Sequence, residues 1–176
     1  MKFYESGDNR KPVIFLFPGT CCLYSSFNHI LDGLHSYFYT VAVSYDGFDP
    51  NEKTEFCSME DECEKIEQEI RKKYGGRIKA AYGCSLGGSP WITKQSIYNQ
   101  FYSDLVTKVQ HGIDVPGTTI HVFYATKMGK KYEKRYCTYF KNPDIRRHNM
   151  QHEELFCCHS AEWVEEVKKA VEGDRQ

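Results

Sequence analysis

Four short apolar runs, separated by segments of helical period, constrain this fold more than any other feature of the chain. Residues 11–17 (KPVIFLF), 37–45 (YFYTVAVSY), 77–82 (RIKAAY) and 118–125 (TTIHVFYA) read as strands. Between the first two, Phe27, Ile30, Leu31 and Leu34 repeat with helical spacing. Ser58-Met59-Glu60-Asp61 forms a capping box that opens a second helix. Its apolar seam is Met59, Cys63, Ile66 and Ile70, and Gly75-Gly76 stops it. A third helical stretch, residues 90–110, carries Trp91, Tyr98, Phe101, Leu105 and Val109 on one side. Tyr132, Tyr136, Tyr139 and Phe140 mark a fourth helix, and residues 144–148 (DIRRH) a short polar strand near a sheet edge. Ser160 is placed to cap a last helix that buries Trp163, Val164, Val167 and Val171 and ends at Gly173.

Strand-helix alternation predicts an α/β fold, a three-layer α/β/α sandwich around a mostly parallel sheet, small and without a cap domain. The strands are apolar throughout rather than alternating, as befits strands covered on both faces. Right-handed crossovers then gather the strands' carboxyl ends along one edge, where ligands bind. The 176 residues suffice for one core, so a single domain, 1–176, is expected.

Composition narrows the function. A formal net charge of −1 argues against a nucleic-acid-binding or polybasic membrane surface. The basic stretch 127–135 is interrupted by Glu133 and reads as a solvated helix face. The longest apolar run, 13–17, is far too short to span a membrane. The opening MKFYESGDNRKP has no apolar signal core, so a cytoplasmic location is expected. In a reducing compartment the eight cysteines are expected as thiols, mostly packed as small hydrophobes. The adjacent pairs Cys21-Cys22 and Cys157-Cys158 lack redox C-x-x-C spacing. No repeat or low-complexity linker interrupts the chain.

The third strand runs directly into Ala81-Tyr82-Gly83-Cys84-Ser85-Leu86-Gly87-Gly88. A serine on a tight strand-to-helix turn has a strained backbone, and side chains two residues away on either side collide with it; Gly83 and Gly87 remove that obstacle. The turn lifts the Ser85 hydroxyl clear of the sheet. It also sets the Leu86 N–H toward an oxyanion, at the positive end of the next helix. The competing structural explanation is an ordinary glycine-rich loop.

This constellation resembles the α/β-hydrolase fold family of serine esterases, lipases and thioesterases. AYGCSLGG is similar to its nucleophile elbow. KPVIFLFPGT resembles the strand and loop that supply its second oxyanion donor, which implies the Thr20 N–H here, although Pro18-Gly19 stands where the family often has His-Gly. HNMQHEELFCCHSAEWVEEVKK resembles its catalytic-histidine loop and last helix, which implies His152 as general base, with His148 the next candidate. His29 and His35 fall on the first helix, His121 within a strand, His111 in a loop without a motif, and His159 against the last helix.

The resemblance also implies an acid between nucleophile and base in chain order. The loop Thr126-Lys127-Met128-Gly129-Lys130-Lys131 has no carboxylate, Asp104 and Asp114 end no obvious strand, and Asp144 comes later, at the last strand candidate; none is assigned. Pro90 suits the first turn of a new helix capped by Ser89 and would break one begun at Leu86. The post-elbow helix and the next strand are therefore expected to be short or absent, as in a reduced or internally deleted hydrolase domain.

The implied activity is cleavage of a small-molecule acyl ester or thioester through an acyl-enzyme on Ser85, without a cofactor or metal. Phe27, Trp91, Tyr98, Phe101 and Tyr102 are either pocket-lining or, for most of them, core. Two alternatives stand beside it. One is an impaired hydrolase-like domain that binds a small molecule or protein partner. The other is a zinc site from His148, His152, Cys157, Cys158 and His159, although their spacings fit no standard motif. Neither the substrate nor the oligomeric state follows from these residues.

Overall fold

A computed structural model of the protein describes residues 1–84, 94–107 and 111–173, with only the backbone of Asp104. The chain divides into two compact units, Met1–Thr107 and Lys108–Gln176.

The first unit is built on a four-stranded sheet of order β1-β3-β2-β4. Its strands are β1 (Lys2–Ser6), β2 (Val13–Phe17), β3 (Tyr39–Ser44) and β4 (Ala80–Gly83). β2 runs parallel to both β3 and β4, and β1 is antiparallel to β3. The central pair matches the apolar pattern: Ile14, Phe15, Leu16, Val41, Ala42 and Val43 are all buried. Strand alternation sends Phe15, Val41 and Val43 into one cluster with Phe48 and Phe56. Met59, Ile66 and Ile70 of α2 (Met59–Tyr74) pack against that cluster. Phe27, and Ile30 and Leu34 of α1 (Asn28–His35), are also fully buried.

The N-terminal strand β1 lay outside the sequence expectation. KFYES is short and ends in polar residues, and its pairing partner lies some forty residues away, so only tertiary structure fixes it. Its side chains are well held. Phe3 packs edge-on to Phe15, and Tyr4 stacks on Tyr24 with centroids 3.6 Å apart. Glu5 accepts from Tyr39 at 3.0 Å and also bonds Tyr74 and Lys73. Burial works to raise the Glu5 carboxyl, but these three donors hold it below its ordinary value.

α2 starts as its capping box predicts: Ser58 Oγ accepts from Asp61 N at 3.2 Å, and Gly75 ends the helix at φ 63°. Its seam needs one correction. Cys63 is exposed, and its neighbour Glu62 is buried instead. Glu62 Oε2 accepts from Asp46 N at 3.1 Å, closing the loop that follows β3 onto α2.

The helix after β4, α3 (Lys94–Val106), reverses the predicted facing. Tyr98, Phe101 and Leu105 are 63%, 49% and 84% exposed, whereas Ser96, Gln100 and Ser103 are buried. Trp91 and Val109 lie outside the described residues. Between β4 and the next strand, the described residues hold this helix and one isolated bridge, Ile113 to Phe140.

The second unit pairs β5 (His121–Ala125) in parallel with β6 (Asp144–His148). Helices α4 (Lys130–Tyr139), α5 (Glu154–Cys158) and α6 (Ser160–Glu172) complete it. Val122, Tyr124, Leu155, Phe156, Trp163, Val164 and Val167 are buried, with Phe156 edge-on to Trp163 at 5.5 Å. β6 and the apolar face of α6 lie where the pattern put them. Ser160, however, is the first helical residue and not the cap, because α5 already reaches Cys158 and His159 makes the junction. All eight cysteines are free, and Cys57, Cys63, Cys137, Cys157 and Cys158 are exposed rather than packed as hydrophobes.

Candidate active site

β2 and β4 are neighbours with Phe17 opposite Gly83, so their carboxyl ends lie side by side. Past Phe17 the chain makes a four-residue turn, Gly19-Thr20-Cys21-Cys22, closed by Cys22 N donating to Gly19 O at 2.9 Å. Cys21 takes φ 59°, a left-handed conformation uncommon for a side-chain-bearing residue. Its N–H donates to Gln100 Oε1 of α3 at 3.0 Å. No described residue accepts a hydrogen bond from the Thr20 N–H.

Past Gly83, Cys84 N donates to Phe17 O at 3.3 Å, extending the ladder by one residue. Ser85, Leu86 and Gly87, together with the rest of the segment 85–93, lie outside the described residues. The strand that leads toward the serine in sequence ends two residues before it, at Gly83.

In the second unit His152 sits past the carboxyl end of β6, on a turn fixed from both sides. Lys127 N, in the turn after β5, donates to Met150 O at 3.2 Å. Gln151 N donates to Glu154 Oε2 at 2.6 Å, and Glu154 N returns a bond to Gln151 O. The His152 side chain is 37% exposed, with Nε2 3.9 Å from Glu153 Oε1. His148, the other candidate, closes β6; its Nε2 is buried without a hydrogen-bond partner among the described residues, and its ring meets Phe123 edge-on at 6.1 Å. Proton transfer needs a nitrogen within reach of donors and acceptors; the His152 side chain is exposed, whereas the Nε2 of His148 is enclosed.

Two of the three carboxylates weighed as the acid are engaged elsewhere. Asp114 pairs with Lys141 at 2.7 Å. Asp144 accepts from His121 Nδ1 at 2.7 Å and from Arg146 Nε at 3.0 Å. Asp144 and His121 are opposed at the first register position of β5 and β6, whereas His148 is at the last. That pair therefore lies at the opposite end of the strands from His152. Burial pushes the Asp144 carboxyl up, but His121 and Arg146 pull it below its ordinary value. The Asp104 side chain is not among those described.

The five residues of the zinc alternative do not converge. Among the described residues, the donor set close enough for one cation is Asp46, Asp61 and Glu62. Lys65 Nζ already bridges it, 2.5 Å from Asp46 Oδ2 and 3.3 Å from Glu62 Oε1, with a third contact to Asp61. The amino terminus also pairs with Asp46. Burial raises the Glu62 carboxyl, whereas at Asp46 the effect of burial is outweighed by Lys65 and the amino terminus, and its carboxyl is lowered. The cluster fastens the loop after β3 to α2, with Lys65 at its centre.

Gln100 is the contributor that the sequence concealed. Its signal was its spacing with Ser96, Asn99 and Ser103, a polar face at helical period opposite the aromatic one.

No family model and no curated protein matches this sequence. Among solved structures, it is similar to a protein assigned to the alpha/beta hydrolase family from Desulfitobacterium hafniense. That likeness has a TM-score of 0.75 at 11% identity and covers 97% of this chain and 100% of the other. A hydrolase from Pseudomonas aeruginosa PA01 is similar over only 48% of this chain and 32% of its own, at 16% identity and a TM-score of 0.43. The chain thus has an α/β-hydrolase-like fold with a mostly parallel arrangement of strands. No helix of the described residues is long and apolar enough to cross a membrane.

Proposed function

We propose that the protein is a serine hydrolase that cleaves a small-molecule acyl ester or thioester, with residues 1–176 acting as one domain. Ser85 attacks the acyl carbon, and His152 takes the hydroxyl proton and returns it to the leaving group. The Thr20 and Leu86 N–H groups receive the oxyanion, and Gly83 and Gly87 give the elbow its room. The observation that carries this proposal is the adjacency of β2 and β4. The GCSLG sequence and the Pro18-Gly19-Thr20 loop leave neighbouring parallel strands at the same edge, Phe17 opposite Gly83. The hydrolase-like fold, shared across both units, supports it further.

No cofactor enters the chemistry. A triad lacking its acid keeps part of its rate, so the unassigned carboxylate predicts a slow enzyme rather than an inert one. A reducing, cytoplasmic setting, in which the eight cysteines stay as thiols, accompanies this reading. The test is hydrolysis of p-nitrophenyl acyl esters and acyl thioesters of graded chain length. Turnover lost in Ser85→Ala and strongly reduced in His152→Ala is the expected result. Turnover that survives Ser85→Ala would refute the proposal. A folded wild type without turnover on any chain length would favour the binding-domain alternative.

A further inference from the structure

α3 is fastened to the first unit by polar side chains. Ser96 Oγ accepts from Phe56 N at 3.2 Å, Asn99 Nδ2 donates to Phe56 O at 2.7 Å, and Ser103 Oγ accepts from Met59 N at 2.9 Å. The fourth member of that face, Gln100, turns elsewhere: its Oε1 accepts from Cys21 N at 3.0 Å. The four residues stand at i, i+3, i+4 and i+7, a single helical stripe. Three of them hold the loop that leads into α2. One holds the turn after β2.

That turn needs a holder. Cys21 occupies the left-handed region without being glycine, a conformation that persists only where its surroundings impose it. The closing bond from Cys22 N to Gly19 O fixes the ends of the turn and not the peptide planes within it. The Thr20 and Cys21 amides flank a single residue, so fixing the direction of the Cys21 N–H restricts the plane before it. Gln100 is 3% exposed, so water does not compete for its carbonyl.

We propose that Gln100 is a positioning residue for the oxyanion loop, holding the Cys21 N–H so that the adjacent Thr20 N–H stays directed at the reacting carbonyl oxygen. This rests on the hydrolase function proposed above. An oxyanion donor stabilises the transition state only when pre-set, and loss of one such donor typically lowers kcat by roughly 10²–10³-fold. Misdirecting one here should lower kcat by about 10–100-fold, with KM nearly unchanged.

The experiment compares Gln100→Met, which keeps the volume and removes the acceptor, with Gln100→Glu, which keeps an oxygen for the Cys21 N–H. Ser103→Ala removes a fastening to the other loop and serves as the structural control. Two readouts are taken: kcat and KM on a p-nitrophenyl ester, and hydrogen exchange of the Thr20 and Cys21 amides by NMR. The expected result is a kcat loss in Gln100→Met at constant KM, substantial recovery in Gln100→Glu, and none of that loss in Ser103→Ala. Faster exchange at Cys21 should accompany it in Gln100→Met alone. Equal kcat losses in Gln100→Met and Ser103→Ala, or unchanged Cys21 exchange in Gln100→Met, overturn the proposal.

Should the wild type prove inactive, the hydrolase function falls, and the exchange readout still decides whether Gln100 holds the turn. If Gln100→Met does not fold, Gln100→Asn, one methylene too short to reach, takes its place with the same outcomes.

Discussion

Two helices of thirteen residues, α3 and α6, meet the protein in opposite ways. α6 buries Trp163, Val164 and Val167, the stripe its sequence advertises. α3 buries Ser96, Gln100 and Ser103 and leaves Tyr98, Phe101, Tyr102, Leu105 and Val106 outward. Both carry an apolar stripe at helical period, so the stripe alone does not decide the facing. On α3 the opposite stripe supplies side-chain donors and acceptors to backbone groups of Cys21, Phe56 and Met59. Loops past the ends of strands have unpaired peptide groups to satisfy, and a polar helix face satisfies them where an apolar one does not. On α6 the buried residues are Trp163, Val164 and Val167, so burial of apolar area sets its orientation.

The largest effect expected from this contrast lies on α6. Trp163→Ala should destabilise by about 3–5 kcal/mol in denaturant unfolding, through lost contact and a residual cavity. The next tests how tightly α3 is seated. Gly47 has φ +77°, and a Cβ there would lie 2.0 Å from Ser96 Oγ and 2.9 Å from Phe56 N. Gly47→Ala should cost roughly 2–4 kcal/mol from backbone strain and overlap. Adding Ser96→Ala should recover part of that, a coupling readable in a double-mutant cycle.

Ser103→Ala should cost about 1–2 kcal/mol by stranding the Met59 N–H. A loss as small as that of a surface change would mean that polar bonds do not hold α3. A smaller effect separates the two helices by pH. Glu166 of α6 lies 3.4 Å from Arg146 and 3.0 Å from Lys169. Burial works to raise its carboxyl, but these cations hold it below the ordinary 4.5. Its contribution is therefore complete above pH 4.5 and is lost as pH falls through the lower folded value. Glu166→Gln should flatten that acid limb and lower stability at neutral pH by no more than about 1 kcal/mol. Smallest of all, Tyr102→Ser or Leu105→Glu on the outward face of α3 should change stability by about 0.5 kcal/mol or less.

The same contrast explains what could be read in advance. Strands β2, β3, β5 and β6 and the cap of α2 follow from local pattern, because burial and capping act over a few neighbouring residues. β1 does not, since its partner is β3 and its polar side chains find Tyr39, Tyr74 and Asp49 only in the folded unit. The site divides likewise. The glycine-fenced Ser85 and the strand that precedes it in sequence are local features. His152 is marked by its loop, and its exposure, set against the enclosed Nε2 of His148, emerges only in three dimensions. Gln100 belongs to a polar stripe that the sequence does show, but its bond to Cys21 N joins a turn seventy-nine residues away and emerges only in the fold. The engagement of Asp144 with His121 also needed the strand register, which places both at the far end of β5 and β6.

Labelling with a fluorophosphonate, followed by mapping of the adduct, asks whether Ser85 is an activated nucleophile. The proposed function predicts one adduct per chain, on Ser85, absent from Ser85→Ala and formed much more slowly in His152→Ala. A folded wild type that takes up no probe, or takes it up at another residue, would contradict it.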